Sequence, residues 1–170
     1  YVESRHLADE GARALASSEF SVCSVNAPYV LGALPGLEIE HLSVMVAYAR
    51  GQLENLPLFA PPGGTNHLSV KSLSQALIGA LAKGESGKAY LVGDENYSWK
   101  DYLELWCSLA GNPMDLEVRT EDHPLLPNVI MFAGVGATVS YEPDPDESRL
   151  LNYSRSQIKD TISEVIDVYG

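Results

Sequence analysis

The residues of this sequence best suited to chemistry are Tyr1 and Arg5, which lie four positions apart at the start of the chain. Residues at this spacing are neighbours on one face of a helix. A free phenol loses its proton at a pH of about 10, and a nearby positive charge lowers that pKa by stabilising the phenolate. An arginine one helical turn from a tyrosine can therefore favour the phenolate form of that tyrosine.

The segment that holds this pair predicts a helix over residues 1–15. Its apolar side consists of leucines and small residues, namely Leu7, Ala8, Gly11, Ala12, Ala14 and Leu15. Its charged residues are expected to face solvent, namely Glu3, Asp9, Glu10 and Arg13. Residues 20–25 are short, apolar and rich enough in β-branched side chains to predict a buried strand. Pro28 follows, and it ends the strand because proline cannot donate to a sheet ladder.

This succession of Tyr1-x-x-x-Arg5, helix, strand and N-A-P-Y-V-L-G resembles the second half of an extended short-chain dehydrogenase/reductase, the NAD-dependent epimerase/dehydratase family. There a Tyr-x-x-x-Lys helix precedes a strand and a segment similar to R-P-P-N-V-Y-G. Residues 66–76 (NHLSVKSLSQA) resemble that family's H-V-D-D-V-A-x-A turn into a helix. Residues 87–111 resemble its strand, v-G-d loop and t-w-x-e-l helix. The resemblance thus covers nearly the whole chain in order and spacing.

The resemblance implies an α/β fold, made of the C-terminal part of a Rossmann-like sheet and a small substrate-binding lobe. Residues 1–32 would be the remnant of the Rossmann-like domain, and residues 33–170 mainly the substrate-binding lobe with interspersed sheet strands. The glycine-rich half that binds the dinucleotide is absent and is expected upstream of Tyr1. We therefore expect a fragment. The family also implies that the Tyr1 helix forms a dimer interface.

In that family the tyrosine exchanges a proton with a substrate hydroxyl or carbonyl, and the lysine holds the nicotinamide ribose. The resemblance therefore implies catalytic roles for Tyr1 and Arg5. Arg5 keeps the positive charge, but its planar fork cannot reproduce the compact contacts of an ammonium with ribose hydroxyls. Two interpretations stay open: the intact protein keeps its proton-transfer chemistry, or Tyr1 lies on a helix that only packs.

The resemblance also places a dinucleotide, NAD or NADP, near the loop that follows the first strand. Backbone groups of Asn26, Ala27, Pro28 and Tyr29 are expected to contact the nicotinamide carboxamide, with Asn26 replacing a frequent arginine. Tyr29 and Val30 are expected to face the substrate. The alternative is a rigid turn that merely ends the strand.

Substrate recognition departs from the family at residues 65–72. Nucleotide-sugar enzymes tend to carry R-D-Y-I-H-V-D-D there, where the arginine binds pyrophosphate. Thr65 takes the place of that arginine, and both final aspartates are missing. A small hydroxyl- or carbonyl-bearing substrate is therefore expected instead of a nucleotide sugar. His67 either lines the substrate pocket or makes a local hydrogen bond.

Composition narrows the possible partners. Lys and Arg number 11 against 23 Asp and Glu, so the formal net charge is −12, which argues against nucleic-acid binding. No apolar run approaches the roughly 18 residues of a membrane span, and no signal peptide begins the chain. We expect a cytoplasmic protein with free thiols at Cys23 and Cys107. The four histidines lack zinc-site spacing, so no metal is expected.

Other segments predict the remaining elements. Residues 42–49 predict a helix that ends near Gly51, and residues 89–92 a buried strand. Residues 73–83 predict a helix capped by Ser72, with a core face at Leu73, Leu77, Ile78 and Leu81. Loops are predicted at residues 93–96 and 142–147, an edge strand at 114–118, and an apolar helix at 124–140 in which Gly134 and Gly136 allow packing. Ser98 is expected to cap a helix, and the last helix to bury Ile158, Ile162, Val165 and Ile166.

The sequence therefore predicts part of an NAD(P)-dependent oxidoreductase or epimerase that is inactive alone. One alternative is a dinucleotide-binding regulator on the same fold that has lost catalysis. Another is a structural module that dimerises through the Tyr1 helix, or associates with the missing N-terminal half.

Overall fold

The computed structural model describes residues 2–34 and 36–170. The proposed catalytic Tyr1 lies outside the described residues. The elements in chain order are α1 (Val2–Arg13), β1 (Ser24–Asn26), β2 (Tyr29–Leu31), α2 (Glu40–Ala49), β3 (Gly64–Ser69), α3 (Val70–Lys83), β4 (Ala89–Leu91), β5 (Glu95–Ser98), α4 (Trp99–Leu109), a 3-10 turn (Asn128–Ile130), β6 (Thr138–Val139), α5 (Pro145–Leu151) and α6 (Ile158–Tyr169).

The strands form two sheets, and the chain crosses from one to the other at Ala27 and Pro28. Strand β1 pairs in parallel with β4, and two residues after β1 ends, β2 pairs in parallel with β3. Strand β5 runs antiparallel along one edge of β3. Strands β2 and β6 share the opposite edge of β3. His67 pairs with β5 on one side and with β2 on the other, and Thr65 pairs with β5 on one side and with β6 on the other. Pro28 suits this crossing because it needs no ladder donor.

Helices α2, α4 and α6 pack around β2 and β3 to form the main core. The four α6 positions predicted as apolar core are all buried, and Trp106 of α4 lies fully inside. Ser98 caps α4 as predicted, since its Oγ accepts the Asp101 amide at 3.0 Å. The predicted helix ending near Gly51 and the strand at 89–92 are also present, as α2 and β4.

Helix α3 turns a different face inward from the one predicted. Its inward side is made of small residues, Ala76, Gly79 and Ala80, because a Cβ at Gly79 would overlap the backbone of Leu151 in α5. The predicted core residues Leu77, Ile78 and Leu81 are exposed, and 89% of Leu81 is accessible. The cap is also one turn earlier: Ser69 accepts the Ser72 amide at 2.9 Å, so Ser72 is a helical residue.

The predicted helix over residues 124–140 is wrong. The segment forms turns, one 3-10 turn and the short strand β6. Gly134 and Gly136 have positive φ angles of 103° and 81°, a backbone that glycine adopts readily and that ends a helix. Pro127 precedes the 3-10 turn with extended geometry. These glycines therefore act as turn residues and not as helix-packing residues.

Three shorter predictions are corrected as well. The loop at 93–96 includes the start of β5, because Glu95 and Asn96 pair with β3. The edge strand at 114–118 is reduced to one bridge between Ala60 and Val118. The acidic loop at 142–147 contains the start of α5, whose cap is Asp144: its Oδ1 accepts the amides of the next two non-proline residues.

Two of the four charged residues predicted to face solvent on the first helix are less exposed than predicted, while Glu3 and Glu10 are exposed as predicted. Asp9 and Arg13, which were expected to face solvent, are half-buried. They form an ion pair at 2.7 Å, and Arg13 also donates to the Gly87 carbonyl at 3.3 Å. Leu7 is 59% exposed. Charged groups thus hold α1 to the body, while its apolar side faces outward.

The predicted buried strand at 20–25 is shorter than expected, because β1 begins only at Ser24. Before it, the Ser17 hydroxyl accepts the amides of Glu19 and Phe20 and forms a turn. Phe20 is 52% exposed. Both cysteines are free thiols, with Cys107 buried and Cys23 half-buried. Within residues 2–34 and 36–170, no helix is long and apolar enough to cross a membrane.

Candidate functional site

A cleft opens along β3, at the edge that β6 and β2 share. It has a volume of about 1050 Å³. Strand β6 covers the first part of this edge, and β2 covers its last part. The chain between the two sheets, Ala27 and Pro28, lies beside this opening. Such concave openings, lined mainly by apolar side chains, are common ligand sites.

Four of the residues predicted to bind cofactor or substrate line this cleft together: Ala27, Pro28, Tyr29 and Val30. The Ala27 amide makes no hydrogen bond to any residue that the structure describes, so it is available to a ligand. Asn26 does not line the cleft. Its carbonyl accepts the Val92 amide at 3.0 Å and extends the pairing of β1 with β4.

The Tyr29 ring connects the cleft to a buried aromatic cluster, which consists of Tyr29, His67, Tyr97, Trp99 and Tyr102. Its centroid is 5.3 Å from that of His67 and 5.7 Å from that of Trp99, both in edge-to-face geometry. Burial raises the pKa of the Tyr29 phenol. The phenol therefore remains neutral at physiological pH.

His67 lies behind Tyr29 and does not line the cleft. The two residues are register partners in β2 and β3, and His67 is completely buried. Its Nδ1 is 3.1 Å from the Thr65 carbonyl, and its Nε2 has no partner among the described residues. Burial lowers the pKa of His67 to about 4, because the charged imidazolium is poorly solvated there. The imidazole is therefore neutral.

The opposite wall comes from the segment predicted as a helix. Ile130, Met131 and Phe132 line the cleft from the end of the 3-10 turn, and Val139 lines it from β6. Periodicity alone did not find this wall, since the run is apolar throughout. The signal that would have found it is the pair Gly134 and Gly136 with the preceding prolines, which together indicate turns.

Helix α1 brings its first turn to the cleft. Val2 lines the opening, so the N-terminal end of the helix lies there. Arg5 is exposed one turn further along. Tyr1 precedes Val2 in sequence but lies outside the described residues.

A buried carboxylate near these strands, that of Asp94, has a structural role. Asp94 is 2% exposed, and its carboxylate accepts the amides of Ser156 and Gln157 at the start of α6. Among the described residues, no group of three His, Cys, Asp or Glu side chains is placed to hold a metal ion.

No protein-family model and no curated protein sequence matches the chain. Solved structures do match it. RMD from Pseudomonas aeruginosa, complexed with NADPH, is 15% identical with a TM-score of 0.69, over 99% of this chain and 55% of that one. The dTDP-glucose 4,6-dehydratase of Bacillus anthracis, in complex with NAD, is 20% identical with a TM-score of 0.69, over 99% and 51%. WbmF from Bordetella bronchiseptica, in complex with NAD+ and UDP, is 16% identical with a TM-score of 0.67, over 98% and 51%.

At these identities the likeness concerns the fold. The chain has the α/β fold of the C-terminal half of the NAD(P)-dependent epimerase/dehydratases, the extended short-chain dehydrogenases/reductases. It spans about half the length of the solved structures that it matches. The fold class predicted from the sequence is thereby confirmed.

Proposed function

We propose that this chain is the substrate-side half of an NAD(P)-dependent oxidoreductase or epimerase that acts on a small hydroxyl- or carbonyl-bearing compound, and that it is inactive alone. The observation that supports this most is the cleft at the crossing between the sheets. It gathers Ala27, Pro28, Tyr29 and Val30 beside the first turn of α1.

The residues present fit the nicotinamide end of a dinucleotide. The Ala27 amide has no partner in the described part of the chain, and a carboxamide oxygen is a suitable acceptor for it. When bound, NAD(P) supplies hydride transfer. The pyrophosphate needs other residues: the two helices that directly follow strands, α3 and α4, begin with serine caps and not with a glycine-rich turn. Another part of the polypeptide, or another chain, would hold it.

Tyr1 is proposed to exchange the proton with the substrate hydroxyl or carbonyl. Arg5, one turn away in sequence, is its electrostatic partner and favours the phenolate. The position of Val2 at the cleft supports this assignment. Tyr29 and Val30 contact the substrate, while Asn26 supports the cofactor loop.

His67 was predicted to contact substrate, and its position behind Tyr29 suggests an indirect role. The Tyr29 and His67 rings are in edge contact, so we propose that His67 orients Tyr29. Association through α1, as a homodimer or with an N-terminal half, is supported by the exposed Leu7 and Leu15. A cytoplasmic location stays a prediction.

The first test is the intact mass and N-terminal sequencing of every chain in the native protein, followed by titration with NAD+ and NADP+. We expect a glycine-rich polypeptide segment that accompanies these residues, dinucleotide binding by the intact protein, and no turnover by residues 1–170 alone. Turnover by the isolated chain with added NAD(H) would contradict the proposal.

A pair of variants of the intact protein separates catalysis from regulation. Tyr1→Phe should lower kcat by about 100-fold or more, and Arg5→Lys should preserve activity because the charge is kept. If NAD(P) binds normally and Tyr1→Phe changes no reaction, the protein is the non-catalytic regulator, a function that the arginine in place of lysine favours.

A further inference from the structure

We infer that the substrate bound in the cleft is an uncharged, mainly apolar ring compound that bears one hydroxyl or carbonyl group, and that this substrate is not a nucleotide diphosphate. This inference rests on the proposed function for the site and specifies its substrate class.

The charge of the cleft lining argues against a diphosphate group in the substrate. Every lining residue that the structure describes is uncharged, whereas diphosphates are held by arginine, lysine or free amides at a helix N-terminus. Helix α4 does begin at the cleft with Trp99. Two of its first three amides are already used, because the Trp99 amide donates to the Gly63 carbonyl at 2.9 Å and the Asp101 amide to Ser98 Oγ at 3.0 Å.

The apolar side chains on the cleft walls favour a ring compound. Tyr29 and Trp99 offer aromatic rings on one side. Aliphatic and aromatic side chains from the facing segment remain exposed, including Phe132 at 52% and Val139 at 43%. A ring compound would remove this apolar surface from water, which is the main source of affinity in such sites.

One polar group among these walls can orient the ligand. Thr65 lines the cleft, and its hydroxyl makes no hydrogen bond to any residue in the described ranges. A hydroxyl both donates and accepts, so it can pair with either a ligand hydroxyl or a ligand carbonyl. Thr65 occupies the position at which the sequence comparison with the family expected a phosphate-binding arginine. The same position therefore selects an uncharged polar group.

The test compares two probes on the 170-residue chain, 2-naphthol and UDP, by fluorescence and calorimetric titration. We expect saturable binding of 2-naphthol and at least 10-fold weaker binding of UDP. Val139→Asp should weaken 2-naphthol binding at least 10-fold. The matched control is Val168→Asp in α6, a valine of similar exposure, 45% against 43%, that does not line the cleft. It should leave the affinity unchanged, which excludes binding to other apolar surfaces.

A variant that adds a positive charge to the cleft tests whether the uncharged lining determines the ligand preference. Thr65→Arg should weaken 2-naphthol binding and strengthen UDP binding at least 10-fold. The inference is overturned if wild-type chain prefers UDP, if neither probe binds, or if Val139→Asp and Val168→Asp act alike. These outcomes are distinct from failure of the proposed function, which is decided by NAD(P) titration of the intact protein.

Discussion

The imidazole of His67 lies against the phenol ring of Tyr102, with the ring centroids 4.3 Å apart and the planes tilted by 30°. Both side chains are completely buried. Burial outweighs the favourable effect of the Thr65 and Glu95 backbone groups on the imidazolium, and it lowers the pKa of His67 from 6.5 to about 4. This contact places a neutral histidine at the centre of the aromatic cluster behind the cleft.

The depressed pKa predicts a pH-dependent stability. Between pH 6.5 and pH 4 the unfolded chain protonates His67 while the folded chain does not. The contribution of His67 to the free energy of unfolding is therefore fully present above pH 6.5. It falls as the pH drops, by about 3 kcal/mol at pH 4. Urea unfolding at pH 7, 5.5 and 4.5 measures this loss.

His67→Phe is the control for that measurement, because it keeps a buried ring and removes the titrating group. Its unfolding free energy should decline less steeply with acid than that of wild type. Asp94, whose pKa is raised by burial, contributes with the opposite sign in both proteins and cancels in the difference. Equal slopes for the two proteins would contradict the assignment.

His123 is predicted to be a main stabilising residue of the loop that precedes the cleft wall. Its Nδ1 accepts the amides of Leu125 and Leu126 at 3.1 and 3.0 Å, and its Nε2 lies 3.1 Å from the Tyr48 hydroxyl. His123→Leu would leave the two amides without an acceptor, which costs about 2–4 kcal/mol of unfolding free energy. Urea unfolding checks this, with the exposed His41→Leu in α2 as a control expected to change little.

Alanine substitutions at two helical glycines should change the free energy of unfolding in opposite directions. At Gly79, an added Cβ would lie 2.6 Å from the Leu151 carbonyl carbon, and α3 would have to move from α5. Gly79→Ala should therefore lower the unfolding free energy by about 1–3 kcal/mol. At Gly11 in α1 there is no atom within 4 Å, so Gly11→Ala should raise it by up to about 1 kcal/mol. Thermal unfolding of the two variants measures these changes. A loss of stability in both variants would show that helix propensity does not determine the effect of Gly11→Ala.

The outward apolar side of α1 predicts self-association. Leu7→Glu should raise the dissociation constant of the oligomer at least 10-fold, because it places a charge in the apolar contact. Light scattering across a concentration series measures this. The matched control is Leu37→Glu, at a loop leucine of 56% exposure against 59% for Leu7. A wild-type chain that stays monomeric, or two variants with equal effects, would contradict a role for α1.

Local sequence signals correctly predicted those structural features that depend on one element alone. The Ser98 cap of α4 and the apolar spacing of α6 were correctly predicted, since capping and helical periodicity depend on nearby residues. The resemblance to the epimerase/dehydratase family likewise needed only the order and spacing of short segments. The placement of Ala27 and Pro28 after the first strand followed from proline chemistry alone.

Tertiary structure decided which faces meet and where the cleft opens. The close approach of α5 selected the small face of α3 and left Leu81 outside, although periodicity favoured burying the leucines. The pairing of both β2 and β6 with one edge of β3 created the cleft between segments more than 100 residues apart in the chain. The burial of His67, and hence its low pKa, arises from rings on three separate elements, β2, β5 and α4. The sequence by itself determined the Ser98 cap, the buried face of α6 and the fold class. The cleft and its uncharged walls depend on long-range contacts, which no local pattern encodes.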